Sequence, residues 1–312
     1  MREGGRILAK IVGEVERKIK VGITTQELNE IAEKLIQERG GQPSFLNFEG
    51  YPAVLCTSLN EELVHAVPSQ KILKKGDILS LDLGIYWRGY HSDMAVTVPI
   101  GKISKKAQEL IFVTKEALKI GIKNSKIGNT IGDIGYTIQQ YVESKGFNVV
   151  RELCGHGIGK KLHEEPQILN FGEKAKGIKI KEGMVFCIEP MVTAGDWKIV
   201  KTIDGFGYRT KDNSLSCHFS SQQSRHHWRI CYHADIFFDT IRQSFFFNIT
   251  FDNVINWLQR SYRGDCFCEF NLFGIKITNT CPSHFAFFFQ FCHHFPCVWN
   301  FTIITGRPVN LI

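Results

Sequence analysis

Apolar positions in the first 216 residues recur with the periods of helices and strands. Residues 5–20 carry apolar side chains at helical spacing, at Ile7, Leu8, Ile11, Val12 and Val15. This pattern predicts an amphipathic helix. A second helix is predicted to begin after Thr24, because Glu27 completes a capping-box pattern, and to end at Gly40 and Gly41.

Strand-like segments alternate with these helices. They lie at 52–59, 77–87, 91–100, 147–153, 184–192 and 197–202. The short link Arg88-Gly89-Tyr90 predicts that the second and third segments form a hairpin.

The first part of the chain also contains an internal repeat. Residues 21–41 align without gaps with residues 127–147, so that Gly22 matches Gly128 and Thr24 matches Thr130. A long predicted helix, at about 104–121, precedes the second copy as residues 5–20 precede the first. Two helices followed by antiparallel strands, twice, predict a duplicated, pseudo-twofold α+β domain. Chance similarity between two amphipathic helices is the alternative explanation.

The composition changes sharply near residue 217. Residues 1–216 contain 24 Lys and 7 Phe, whereas residues 217–312 contain 1 Lys and 17 Phe. Cytoplasmic domains use Lys and Glu heavily on their surfaces. The tail, residues 217–312, therefore differs in composition from the part of the chain that precedes it.

Charge and hydropathy narrow the possible locations and partners. No apolar run reaches the about 18 residues of a membrane span, and no apolar leader follows Met1. The net charge of +7 forms no basic block, which argues against a specific nucleic-acid partner. The three Cys before residue 217, at 56, 154 and 187, lie in or directly beside predicted strands. These features predict a cytoplasmic protein without a membrane partner.

Acidic residues on apolar strands are the first candidates for chemistry. Asp82 lies within an apolar strand, and Asp93 lies across the predicted hairpin from it. Buried carboxylates are costly unless they are paired or bind a cation, and a metal ion between two of them relieves their repulsion. A structural, hydrogen-bonded role is the alternative for Asp82.

A histidine and a third strand carboxylate complete the candidate set. His156 lies between Gly155 and Gly157, and Glu189 lies in another apolar strand. Several carboxylates with one imidazole suit hard or borderline divalent ions. His156 could instead cap a turn. The adjacent Glu164 and Glu165 are expected to be solvated, and neither is predicted to be a ligand.

These motifs resemble those of the type I methionine aminopeptidases. The resemblance rests on "GHGIG" and "HEEP" within residues 155–166, on the Asp82/Asp93 spacing, and on "IEPMV" at 188–192, and it covers about residues 1–219. It implies a pita-bread fold with two divalent ions, of Co, Mn, Fe or Zn. It further implies that a monomer removes the initiator methionine from nascent polypeptides with a small second residue, with the ribosome as the expected place of action.

The resemblance also implies roles for individual residues. Four would be metal ligands, namely Asp82, Asp93, His156 and Glu189, and Glu189 would also handle the proton of the attacking water. His65 and His163 would hold the substrate and its transition state without binding metal. Five residues would line the methionine pocket: Phe48, Tyr51, Cys56, Leu162 and Trp197.

One expected ligand is missing from this chain. Ser220 stands where the family has a glutamate that bridges both metals, so two-metal occupancy and activity are expected to be impaired. The predicted domains are a catalytic domain at 1–219 without its last strand and a non-family tail at 220–312.

Three interpretations of the tail compete. The pairs Cys266/Cys268, His226/His227 and His293/His294 could form a metal module, but they lack the spacings of zinc sites. An appended domain is the second interpretation. Out-of-frame translation after a shift near codon 219 is favoured, and the nucleotide sequence of codons 215–235 would decide.

Two other functions remain alternatives on the same fold. One is a proline-specific aminopeptidase, which usually carries an additional N-terminal domain. The other is a non-catalytic pita-bread binding protein, which the retention of four of five ligands disfavours.

Overall fold

The computed structural model describes residues 1–224, 270–272 and 275–277. The chain divides into two compact units, Met1–Asp239 and Thr240–Ile312. In the second unit the described residues form one antiparallel hairpin, β15 (Phe270–Leu272) and β16 (Ile275–Ile277). The Cys and His pairs proposed for a metal module lie outside the described residues.

Four helices form the outer layer of the first unit. They are α1 (Arg2–Glu16), α2 (Thr25–Glu38), α3 (Lys105–Asn124) and α4 (Ile131–Ser144). The capping box predicted at Thr24 is confirmed, because its hydroxyl accepts from the Glu27 amide at 3.1 Å. Thr130 caps α4 in the same way with Asp133.

The two halves repeat each other in backbone geometry as well as in sequence. Gly22 and Gly128 both adopt φ 93°, a conformation that side chains rarely tolerate. The two cap threonines also each form an antiparallel bridge, Thr24 with Ile72 and Thr130 with Lys179. The predicted duplication is therefore present in the fold.

Fourteen strands of the first unit make up the inner layer. They are β1 (Gln42–Pro43), β2 (Leu55–Leu59), β3 (Glu62–Val64), β4 (Ile78–Trp87), β5 (Tyr90–Pro99), β6 (Asn148–Val149), β7 (Gly155–Gly157), β8 (Glu164–Ile168), β9 (Val185–Ile188), β10 (Met191–Thr193), β11 (Ile199–Lys201), β12 (Tyr208–Thr210), β13 (Ser216–His218) and β14 (Ser221–Ser224). The predicted strand at 184–192 is two strands, because Pro190 has no amide hydrogen and interrupts the ladder.

Three of the four sheets bring the candidate chemistry together. In the first sheet, β4 and β5 form the predicted hairpin, with Trp87 opposite Tyr90. In the second, β9 lies between β7 and β14. In the third, β10 lies between β13 and β6. The β14 strand lies just beyond the predicted domain boundary, which itself stays a prediction.

One apolar core spans both halves of the first unit. It includes Leu28 of α2, Leu81 of β4, Ile134 of α4 and Phe186 of β9, all of which are fully buried. The helices therefore cover the apolar face of the sheets and leave the opposite face of β4, β5 and β9 for polar groups.

Gly135 of α4 is expected to be essential for this packing. A Cβ there would lie 2.3 Å from the Phe171 carbonyl oxygen, so Gly135→Ala should lower the free energy of unfolding by about 1–3 kcal/mol. Gly5→Ala is the matched control, since a Cβ at this helical glycine meets no atom within 4 Å. It should raise stability by up to about 1 kcal/mol. Urea unfolding of both variants checks this, and equal stabilities would contradict it.

Candidate metal centre

Two buried aspartates lie on one face of the β4–β5 hairpin. Asp82 pairs with Ala95 and Asp93 with Gly84, so the two carboxylates are diagonal neighbours on the same face. Burial, followed by the nearby charges of Asp93 and Glu189, raises the pKa of Asp82 well above its ordinary value. One oxygen of Asp82 and one of Asp93 have no hydrogen-bond partner among the described residues.

His156 reaches these carboxylates from β7. Its flanking glycines allow β7 to pack tightly, since a Cβ at Gly155 would lie 2.3 Å from the Cys187 carbonyl oxygen. Nδ1 of His156 lies 2.8 Å from the Gly157 carbonyl oxygen, so it can donate there. Nε2 then faces Asp93 Oδ2 at 3.4 Å and Glu189 Oε1 at 3.2 Å.

Glu189 ends β9 and is held through its backbone. The Asn170 side chain donates from Nδ2 to the Glu189 carbonyl oxygen at 2.7 Å. Burial by itself would raise the pKa of Glu189, but the charge of the adjacent His156 outweighs it and lowers the pKa. For His156, burial opposes the charged form, yet Glu189 and Asp93 prevail and raise its pKa to about 11. Without metal, the imidazolium is the cation of this site.

Two further residues of the site were missed by the sequence analysis. Cys187 joins Asp93, His156 and Glu189 in a group whose candidate ligand atoms all lie within 4.8 Å of one another. Burial, then the neighbouring carboxylates, raises the pKa of the Cys187 thiol well above its ordinary value. His218 of β13 places Nε2 3.7 Å from Glu189 Oε2. A period-two reading could have found both, because each lies two residues before a predicted ligand position.

The donor set fits a divalent cation. Carboxylate oxygens of Asp82, Asp93 and Glu189 are buried without a hydrogen-bond partner among the described residues. Native proteins rarely leave such atoms unpaired, because desolvation without compensation is costly. A bound cation would satisfy them together.

Ser220 lies beside this group but is engaged with the backbone. Its hydroxyl accepts from the Ala95 amide at 2.7 Å, and its own amide donates to the Ala95 carbonyl oxygen at 3.0 Å. Since Ala95 pairs with Asp82, position 220 borders the carboxylate side of the site.

The two predicted non-ligand histidines lie at the outer side of the site. The ring of His163 lies 4.3 Å from that of His156 and 5.0 Å from that of Phe48. His65 adopts φ 57° and lies 6.1 Å from the Tyr208 ring. Desolvation is the largest cause that lowers the pKa of both histidines. The second cause is the neighbouring His156 for His163 and the neighbouring His218 for His65. Both side chains are still exposed, so this desolvation is partial.

A small apolar cluster adjoins the histidines. Four of the five predicted pocket residues belong to it or pack against it, namely Tyr51, Cys56, Leu162 and Phe48. Trp197 is not among these residues and instead lies against Arg151, 4.9 Å from its ring centroid. Phe206, which the sequence analysis missed, packs on Tyr51 with ring centroids 5.7 Å apart. Phe206 is therefore an aromatic side chain that packs on this cluster. A contact between Trp197 and a substrate stays a prediction.

Comparisons with known proteins agree with this geometry. A profile of metallopeptidase family M24 matches residues 1–215. A methionine aminopeptidase of Clostridium perfringens is 44% identical over 221 residues, which are 71% of this chain and 89% of that protein. Methionine aminopeptidase 1 of Bacillus subtilis is 46% identical over 220 residues, which are 70% of this chain and 88% of that protein.

Solved structures show the same fold. The crystal structure of methionine aminopeptidase from Rickettsia prowazekii superimposes with a TM-score of 0.71 at 36% identity, over 72% of this chain and 90% of that chain. A prolidase from Pyrococcus furiosus, at 23% identity and a TM-score of 0.57 over 72% of this chain and 59% of that one, shares the fold alone. The predicted pita-bread fold is thereby confirmed.

Proposed function

Because the chain belongs to metallopeptidase family M24, we propose that it is a metal-dependent aminopeptidase that removes the initiator methionine from polypeptides with a small second residue. The observation that carries this proposal is the convergence of Asp93, His156 and Glu189 beside an apolar cluster. The identity of 44% and 46% with proteins named methionine aminopeptidases supports the choice of substrate.

Asp82, Asp93, His156 and Glu189 would hold two divalent ions, of Co, Mn, Fe or Zn. When bound, such ions lower the pKa of a water molecule and polarise the scissile carbonyl. Glu189 would accept the proton of that water, because its carboxylate is charged at neutral pH and its Oε1 has no hydrogen-bond partner among the described residues. The seryl hydroxyl at position 220 carries no charge, so we propose that the second ion is weakly held and that activity is reduced.

The histidines at the outer side would act on the substrate. The lowered pKa values of His163 and His65 keep both imidazoles neutral near pH 7. A neutral N–H at His163 or His65 can donate to the oxygen on which charge develops, without a proton transfer. The cluster of Tyr51, Cys56 and Leu162, with Phe206, offers an apolar wall for a thioether side chain.

The setting of the reaction is also a proposal. We propose a cytoplasmic monomer that acts on nascent chains at the ribosome. The described cysteines, Cys56, Cys154, Cys187 and Cys217, are all free thiols, which supports a reducing compartment. Among the described residues, no helix is both long and apolar enough to cross a membrane.

Peptide cleavage tests the proposed function. The purified chain with Mn²⁺ or Co²⁺ is expected to release free methionine from Met-Ala-Ser, since the metal polarises the scissile carbonyl. The release should be slow, because the second ion is weakly held. Excess chelator should abolish the release, and N-acetylated Met-Ala-Ser should not be cut. Chromatography of the products measures both.

Two outcomes would contradict the proposal. Metal binding without any methionine release would favour the non-catalytic binding protein. Preferred cleavage of a Met-Pro dipeptide over Met-Ala-Ser would favour the proline-specific aminopeptidase, although no feature described above supports it.

A further inference from the structure

His218 is a buried imidazole that the proposed reaction does not use. Its side chain is 1% exposed. Its position is set by β13, which pairs Met191 with His218, and by Thr97, whose Oγ1 donates to the His218 carbonyl oxygen at 2.7 Å. The Thr97 hydroxyl also accepts from the His218 amide at 3.0 Å. The amide and the carbonyl oxygen of His218 are therefore both hydrogen-bonded, and the strand pairing fixes the direction of its side chain.

The imidazole itself has no hydrogen bond. Neither Nδ1 nor Nε2 of His218 has a hydrogen-bond partner among the described residues. A buried polar group without a partner costs free energy that a folded protein normally avoids. Its nearest charged group is Glu189, whose Oε2 lies 3.7 Å from Nε2, which is longer than a hydrogen bond.

The distances around Glu189 match those between ligands of one metal ion. Ligand atoms about 2.0–2.2 Å from a shared ion lie about 2.8–3.8 Å from each other at angles between the 90° of an octahedral site and the 120° of a trigonal one. Glu189 Oε1 lies 3.2 Å from His156 Nε2, and Glu189 Oε2 lies 3.7 Å from His218 Nε2. Both separations fall in that range, and the two imidazoles face different oxygens of the same carboxylate.

We propose that His218 Nε2 is a metal ligand of this chain, which adds a second imidazole to the ion held by Glu189. It lies two residues before Ser220, on the segment that would otherwise carry the missing glutamate. An added neutral imidazole compensates for part of the lost coordination but not for the lost negative charge. Imidazole ligands favour Zn, Fe and Co over Mn, so this site should prefer those ions.

The experiment is Co²⁺ binding to the full chain and to His218→Gln. The inference rests on the proposed metal dependence, so it is tested without catalysis. Proton NMR in water, at less than one equivalent of Co²⁺, should show two exchangeable, hyperfine-shifted imidazole N–H resonances in the parent chain and one in H218Q. By calorimetry, H218Q should bind Co²⁺ about 10–100-fold more weakly, with a smaller loss for Mn²⁺.

His91→Gln is the matched control. His91 is half-buried on β5, and its Nδ1 lies 2.9 Å from the Ser44 hydroxyl, so this imidazole already has a polar partner. H91Q should keep both resonances and the parent affinity. If H218Q does not fold, as judged by circular dichroism, H218N takes its place.

The outcomes separate this inference from the proposed function. A single imidazole resonance in the parent chain, or two that persist in H218Q, would overturn the role of His218 alone. A parent chain that binds no Co²⁺ at all would instead contradict the metal dependence of the proposed function.

Discussion

Replacing Ser220 with glutamate is expected to raise methionine release from Met-Ala-Ser by about 100-fold. Position 220 borders Asp82, because the Ser220 hydroxyl and amide both bond to Ala95, the strand partner of Asp82. A carboxylate there would add negative charge that the two proposed cations would need and that a seryl hydroxyl lacks. The measurement is kcat/KM at saturating Mn²⁺ or Co²⁺.

The same substitution should destabilise the metal-free protein. Asp82 already has a raised pKa because it is buried beside Asp93 and Glu189, so a further carboxylate adds repulsion. The melting temperature of S220E should fall below that of the parent chain in chelator and rise above it with metal, as scanning calorimetry would show. Ser220→Gln introduces a side chain as large as that of S220E but without charge. It should show neither the gain in activity nor the metal-dependent change in melting temperature. An equal gain of activity in S220Q would contradict the requirement for charge.

Replacing Glu189 with glutamine is expected to lower activity by about 10²–10⁴-fold. The neutral amide cannot accept the proton of the attacking water, and it is a poorer metal ligand than a carboxylate. Glu182→Gln, at an exposed glutamate, is the matched control and should retain parent activity. Full activity of E189Q would refute the role of Glu189 as a base.

E189Q should also change the titration of His156 in the metal-free protein. The charges of Glu189 and Asp93 raise the pKa of His156 to about 11 against the opposing effect of burial. This interaction contributes stability that is fully present below about pH 6.5 and is lost as the pH rises through about 11. In E189Q the His156 pKa should fall, and the alkaline loss of stability should shift to lower pH. NMR titration of the His156 ring protons measures this, and an unchanged pKa would contradict the pairing.

Local patterns predicted much of the fold because the interactions behind them are local. A capping box joins residues three apart, so Thr24 and Glu27 sufficed to place the start of α2. The link at 88–90 places the turn of the hairpin, and the turn sets its register. That register makes Asp82 and Asp93 diagonal neighbours without any knowledge of the rest of the chain.

Non-local neighbours could not be predicted in the same way. Phe206, rather than Trp197, packs on Tyr51 because of how the β11–β12 hairpin lies against β3. An alternating pattern shows which face a side chain occupies but not which strand lies beside it.

The order of residues by itself determined the duplicated helices, the β4–β5 hairpin and the residue types of a metal site, since each depends on short-range periodicity or spacing. Only the tertiary structure decided which donors converge. His218 reaches Glu189 because β13 pairs with β10, which follows Glu189 directly in the chain. An alternating pattern can mark His218 as a candidate, but long-range pairing depends on the packing of the whole core, and only that pairing places the imidazole beside Glu189.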